Sequence, residues 1–256
     1  MPRKRQIGQN EVAITKGGIE AVDRAMKVLS VYTRRNGELS LHELAEQTGF
    51  YKSTLLRILA SLEAARMLQR LPDKKYALGQ EVMRLSAIFQ HTFRFADSVR
   101  PILKHLVQIT GESSSFFRTQ GNSRICLVRE NSPHSIRDHA MEGDILPLNK
   151  GAAGRVLAEF REIKSDSIPG KLVRALPYLS YGEVERDMAG LAVPVFSSDN
   201  SLAGALAVSG PTSRFTSSAV GKYKPLILKA AQSLSEVLGA DTSTIGSGKF
   251  PHTKAK

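Results

Sequence analysis

LSLHELAEQTGFYKSTLLRILASLEAARMLQRLPDKKYAL, residues 39–78, is the stretch whose pattern decides the fold of the N-terminal part of this chain. Leu41, Leu44, Ala45 and Thr48 recur at helical spacing, which predicts a short helix over 41–47 with one buried face. Gly49 follows, where a chain turning sharply out of a helix needs a residue that tolerates positive φ. A second helix is predicted from about Tyr51. Its apolar stripe is Leu55, Ile58, Leu59 and Leu62, and Ser53, Arg57, Ala60 and Ala64 fall on the opposite face. Small residues on an outer face let a helix enter a DNA major groove, and an arginine there can pair with guanine or phosphate.

Downstream, 67–70 and 75–78 can pair as two short strands around Leu71-Pro72-Asp73-Lys74, with Pro72 and Asp73 suited to the centre of a type I turn. The tip is basic, with Arg70, Lys74 and Lys75, and residues 50–85 hold seven Lys or Arg against three Asp or Glu. A basic β-wing beside a recognition helix is a phosphate clamp, and phosphate neutralisation supplies most sequence-independent affinity for DNA. The order of helix, glycine turn, helix and basic wing predicts a winged helix-turn-helix that binds duplex DNA. An ordinary three-helix domain with a solvated hairpin is the competing reading of the same residues.

A length of 256 residues with 41% apolar residues suits two cores. The formal charge of +12 favours a polyanionic partner. It is spread evenly, with 15 basic and 9 acidic groups in residues 1–85 and 21 and 15 in the rest, so the pattern and not the charge locates the DNA site. Cys126 is the single cysteine, which excludes an internal disulfide and a thiolate zinc cluster and fits a reducing cytoplasm. No apolar run reaches membrane-spanning length, and the start MPRKRQIGQNEVAITKGG lacks a signal-peptide core, so a cytoplasmic location without membrane partners is expected.

The expected order is a flexible basic arm over 1–17, the winged helix-turn-helix over 18–78, a linker helix over 79–94, a second domain over 95–240 and a disordered tail over 241–256. Ile19, Val22, Met26 and Leu29 mark a first helix, and Val82, Leu85, Ile88 or Phe89, and Phe93 line one side of the linker helix. In the second domain a helix carrying Ile102, Leu103, Leu106 and Val107 ends at Gly111. Strands are predicted over 114–119, 124–129, 136–141, 191–196 and 203–208, and helices over 152–160 and 217–238. The fold class is α+β, with a mostly antiparallel sheet flanked by helices.

From about residue 18 to 240 the chain resembles the IclR family of bacterial transcriptional regulators. The resemblance is carried by KSTLLRILASLEA, KKYALG, ILPLNKGAAGRVLAEF and GLAVPVF followed by LAGALAVSGPTSRFT, in that order and spacing. It implies a winged helix-turn-helix joined through a linker helix to a GAF-like effector-binding domain. It also implies a homodimer or dimer of dimers that represses or activates, commonly at catabolic genes, in response to a small organic molecule, often a carboxylate. The recognition-helix residues Lys52, Ser53, Thr54 and Arg57 match the family, and Arg70, Lys74 and Lys75 of the wing complete the expected DNA-binding set. The implied effector-binding positions are Leu146, Gly151, Ala152, Ala153, Gly190, Ala207 and Ser209. Many members carry a serine where this chain has Ala207 and a cysteine near Gly190, and residues 161–182 match weakly.

The chemistry of the effector positions points to an anion. Lys150-Gly151-Ala152-Ala153-Gly154 precedes a helix whose first N–H groups lack intrahelical partners and carry partial positive charge, and small residues allow close approach. Close helix-to-sheet packing also wants Gly and Ala, and both readings stay open on the residues alone. The glycine spacing is not that of a nucleotide P-loop. Ser209 can donate to the same anion, or to backbone. His134 and His139 lack the companions of a metal site, Cys126 reads as a buried and inert thiol, and 113–115 lack the context of a nucleophile elbow, so neither metal, cofactor nor enzymatic activity is expected. The expected function is a ligand-responsive regulator that binds a pseudo-palindromic operator as a dimer and senses a small organic acid, with an aromatic body favoured by the apolar Ala207. Two alternatives stand beside it: a constitutive DNA-binding regulator whose second domain only oligomerises, and a small-molecule enzyme with an accessory DNA-binding domain.

Overall fold

The computed structural model describes residues 18–33, 36–92, 95–168 and 170–240. The expected basic arm and C-terminal tail lie outside these residues. The chain divides into two units, residues 1–93 and 94–256.

In the first unit the elements are α1 (Glu20–Ser30), β1 (Glu38–Leu39), α2 (Leu41–Thr48), α3 (Lys52–Ala64), β2 (Leu68–Arg70), β3 (Tyr76–Leu78) and α4 (Gln80–Thr92). Ser40 starts α2 with a capping box: its hydroxyl accepts from the Glu43 N–H, and the Glu43 carboxylate accepts from the Ser40 N–H at 2.8 Å. Gly49 ends the helix in the left-handed region at φ 73°, which redirects the chain into α3. Leu44, Leu55, Leu59 and Leu62 meet Val28, Leu39, Leu68 and Tyr76 in one core, as the apolar spacing predicts for α2 and α3. The expected first helix is present, but Val28 and not the expected stripe is its fully buried residue; Ile19, Val22 and Met26 are 72%, 49% and 46% exposed. The wing is a three-stranded antiparallel sheet in the order β1-β3-β2, in which β1 is an addition that its two residues do not announce.

The second unit contains α5 (Phe95–Thr110), β4 (Ser113–Gln120), β5 (Ser123–Glu130), β6 (Ile145–Pro147), α6 (Gly151–Glu159), α7 (Gly170–Ala175), β7 (Tyr178–Tyr181), β8 (Met188–Phe196), β9 (Leu202–Pro211) and α8 (Ser217–Val237). The sheet is antiparallel in the order β6-β5-β4-β9-β8-β7. Its two faces are covered differently because alternate residues point to opposite sides. Phe116, Leu191, Val193, Leu206 and Val208 pack with Val99, Leu103 and Leu106 of α5 and Ile227 and Leu234 of α8. Phe117, Cys126, Ala192, Ala205 and Ala207 pack with Ala152, Ala153, Val156 and Leu157 of α6. The second face is floored by small side chains, which lets α6 lie close to the sheet.

Residues 136–141 form no strand, contrary to the sequence expectation. Ile136 is 68% exposed and Asp138 is drawn onto the sheet by Arg129 and Ser209 instead of pairing through its backbone. The edge of β5 is used by other residues: Asp144 accepts from the Cys126 N–H, Gly143 donates to the Cys126 carbonyl, and 145–147 form β6. The weakly matched stretch 161–182 supplies α7 and the edge strand β7, neither of which the sequence reading foresaw.

Candidate functional site

On the first unit, the α3 residues expected to face DNA stand clear of the core. Lys52, Ser53, Arg57 and Ala60 are exposed and Thr54 is half-buried, while Leu55 and Leu59 on the other side are 0% and 1% exposed. The Arg57 guanidinium has no partner among the described residues, so its donors are available to a base edge or a phosphate. Tyr51 caps the N-terminus of α3 and is 85% exposed, a large aromatic on the same surface that the sequence reading passed over as a helix start. A tyrosine so exposed beside three polar helix-start residues was its available signal.

The wing residues differ from one another. Lys74 sits at the turn in the left-handed region at φ 67° and is exposed. Lys75 pairs with Asp73 at 3.0 Å, a contact that raises its pKa and lowers that of Asp73. Arg70 lies over the Tyr76 ring at 5.8 Å, which orients it at the wing edge. Among the described residues Lys74 is therefore the one of the three without an ion-pair or ring partner, and Lys75 would have to exchange a carboxylate to take a phosphate.

On the second unit, α6 begins against the small-residue face of the sheet. Gly151, Ala152 and Ala153 are buried, and Gly154 is buried where a Cβ would meet the Leu148 carbonyl oxygen at 2.3 Å. The first N–H groups of the helix are engaged: Gly151 N–H donates to Glu183 Oε2 at 2.9 Å and Ala152 N–H donates to Ser180 Oγ at 3.0 Å. The Ser180 hydroxyl also lies 3.5 Å from the Gly190 carbonyl, to which it donates. Gly190 faces Ser209 across β8 and β9, and Ser209 donates to Asp138 Oδ2 at 2.8 Å. Gly151, Ala152, Gly190 and Ser209, predicted from separate segments, are thus brought into one connected group. Ala153 and Ala207 belong to the same buried cluster, and Leu146 packs at its edge on β6. Two cavities of this unit lie elsewhere. One of about 50 Å³ is walled by Val193, Phe196, Leu228 and Ala231; an open one of about 200 Å³ lies by Arg118 and Arg161. Neither touches the predicted effector residues, of which the Gly151 and Ala152 N–H groups and the Ser209 hydroxyl hold partners from the chain itself.

Three further polar residues line this face. Arg129, whose side chain is 2% exposed, donates to Ser115 at 2.7 Å, to Asn131 at 3.0 Å and to Asp138 Oδ1. Arg124 is 3% exposed and donates to the carbonyls of Pro147 and Lys150 at the start of α6. Its Nε has no hydrogen-bond partner among the described residues, and burial pushes its pKa down to about 10. Ser180 belongs to the strand that sequence reading missed. Two arginines bracketing an apolar strand, RICLVR, were the available signal for the other two. No group of three or more metal-ligating side chains occurs among the described residues, and none of the described helices is long and apolar enough to cross a membrane.

Comparison with known proteins bears on both units. A family model described as the IclR helix-turn-helix domain matches residues 21–72, and one described as the bacterial transcriptional regulator IclR C-terminal matches residues 175–236. The chain is 27% identical to the HTH-type transcriptional regulator BhcR of Paracoccus denitrificans over 91% of this chain and 92% of the relative. An IclR transcriptional regulator from a Silicibacter species superposes with a TM-score of 0.70 at 25% identity, covering 86% of this chain and 97% of the other. An IclR homologue from Microbacterium hydrocarbonoxydans, solved in complex with 4-hydroxybenzoate, has a TM-score of 0.69 at 19% identity, over 85% and 98% of the two chains. The helix-turn-helix with its exposed recognition face, the helix-covered antiparallel sheet and these matches place the chain in the IclR family of DNA-binding transcriptional regulators, with a C-terminal effector domain.

Proposed function

We propose that this regulator senses a small organic acid with an apolar body, aromatic ones favoured, and adjusts its grip on a pseudo-palindromic operator of catabolic genes. DNA binding is assigned to residues 18–78 and effector binding to 95–240, in a cytoplasmic homodimer or dimer of dimers. Arg57 reads bases, Lys52, Ser53 and Thr54 fix the helix start on the backbone, and Arg70, Lys74 and Lys75 hold phosphates. The observation that carries the effector reading is the convergence of the α6 N-terminus, Gly190 and Ser209 on one small-walled face of the sheet. Helix-start N–H groups and a hydroxyl suit a carboxylate, and Ala192, Ala205 and Ala207 suit an apolar body. The 4-hydroxybenzoate bound by the Microbacterium homologue has this chemistry.

The test is calorimetric titration of wild type and Ala153→Leu with a panel of aromatic and aliphatic carboxylates headed by 4-hydroxybenzoate. Ala153 is 6% exposed and packed in the cluster with Ala192, Ala205 and Ala207, so the larger side chain crowds the contact between α6 and the sheet. A carboxylate that binds wild type and fails to bind the variant supports the reading. Equal binding to both places the effector elsewhere.

A further inference from the structure

Arg129 is a cation carried by a strand into the interior, and such a charge is retained only where an anion and further acceptors replace its water. Its anion is Asp138. That carboxylate comes from the stretch between β5 and β6, which forms neither helix nor strand there, and both its oxygens are used: Oδ1 accepts from Arg129, and Oδ2 accepts from Ser209 at 2.8 Å. Ser115, opposite both Arg129 and Ala207 in the sheet, takes a second guanidinium donor at 2.7 Å. The cradle therefore consists of groups fixed on three adjacent strands, β5, β4 and β9, while the carboxylate it holds is supplied by an irregular segment.

The same sheet face has more buried positive charge than carboxylate. A one-residue bulge in β5 puts Arg124 and Arg129 opposite Thr119 and Ser115, which alternate on one side of β4. Arg129 has Asp138; Arg124 has two carbonyl partners, the Phe117 ring at 5.4 Å and an unpartnered Nε, and no carboxylate partner, among the described residues. An entering anion is favoured by that imbalance, and Ser209 connects the cradle through Gly190 and Ser180 to the start of α6.

We infer that Arg129, Ser115 and Ser209 form a carboxylate receptor which Asp138 fills as a built-in ligand, and that a small carboxylate binds there by displacing Asp138. The inference deepens the effector reading above and rests on it for the location of the ligand. It adds the group that receives the charge, and it adds competition: the effector must outbind an intramolecular carboxylate, and its arrival releases the segment that carries Asp138. An effector amide or ester, lacking the two anionic oxygens, does not replace it.

Chemical rescue tests this without knowledge of the natural effector. Asp138→Ala leaves Arg129 buried without its carboxylate, and thermal unfolding of the full chain is followed with sodium acetate, sodium chloride at equal ionic strength, or acetamide. Acetate is expected to raise the Tm of Asp138→Ala saturably, with a much smaller effect on wild type and none in the Arg129→Gln/Asp138→Ala double variant. Equal responses to acetate, chloride and acetamide, or rescue that persists without Arg129, overturn the proposal. Should Asp138→Ala not fold, Asp138→Asn removes the charge and keeps the shape; it must then respond to acetate at lower concentration than wild type, and an unchanged response also overturns it. Because acetate reports on the cradle alone, its failure is separable from failure of the Ala153→Leu titration, which reports on the space beside α6.

Discussion

Arg57 on α3 and Lys74 at the wing turn, both proposed to contact DNA, differ in what they offer. Arg57 sits mid-helix on α3 with a guanidinium that has no partner among the described residues, a fork able to take two acceptors of one guanine. Lys74 is a point charge at the wing turn. Arg57→Ala is expected to cost about 1–3 kcal/mol on the specific operator and far less on random duplex. Lys74→Ala should weaken both about equally and lower the salt slope by about one unit. Fluorescence anisotropy on both duplexes across a salt series checks the pair; equal losses for Arg57→Ala on both would move base reading to another side chain. A third residue-scale expectation concerns Cys126. It is fully buried, and burial pushes its thiol from the ordinary 9.0 up to about 12. The folded state favours the protonated thiol, so this contribution to stability is complete below pH 9 and is lost as pH rises toward 12. At pH 8 a thiol reagent should label the native chain far more slowly than the unfolded one, and equal rates would contradict the burial.

At the scale of single elements, the capping box on α2 is a local device whose loss should be felt locally. Ser40→Ala removes the hydroxyl that accepts from the Glu43 N–H and should destabilise the DNA-binding unit by about 1 kcal/mol, measured by chemical denaturation. An unchanged midpoint would mean that water replaces the cap without loss. The helices around it were legible because their signals are local: Leu41, Leu44, Ala45 and Thr48 at helical spacing, Gly49 at the turn, Leu55, Leu59 and Leu62 on one stripe; the Ser40–Glu43 capping box itself was not read from the sequence. The elements that escaped have other causes. β1 has two residues and exists only through pairing with β3. The apolar periodicity of α1 was correctly helical, but Val28, not Ile19, Val22 or Met26, enters the core. Residues 136–141 alternate like a strand, yet the buried Arg129 captures Asp138 and the hydrogen-bonding edge goes to 143–147. The candidate site was legible in its small residues and not in its charges. The β5 bulge sets Arg124 and Arg129 on one side although they are five positions apart, which strict alternation would put on opposite faces, so no alternating pattern reveals it.

For the whole molecule, association is the next expectation. Met83 and Leu85 on α4 are 79% and 44% exposed, and Ile19, Val22 and Met26 at and within α1 are exposed as well, apolar side chains that a partner surface would cover. One recognition helix covers only a short half-site, so a second copy also suits the DNA. Leu85→Glu places a charge where a partner surface is expected to exclude water, and sedimentation should show a smaller species. An unchanged oligomer would assign association to the effector domain alone.

Occupation of the site beside α6 is expected to change the affinity of α3 for DNA. The direct measurement is equilibrium binding of the full chain to a duplex selected from random sequence, with and without the carboxylate that wild type binds in the calorimetric panel. The account predicts a change in Kd of roughly 5- to 150-fold, the usual size of allosteric coupling, in wild type and none in Ala153→Leu. An unchanged Kd for wild type saturated with that carboxylate would contradict it.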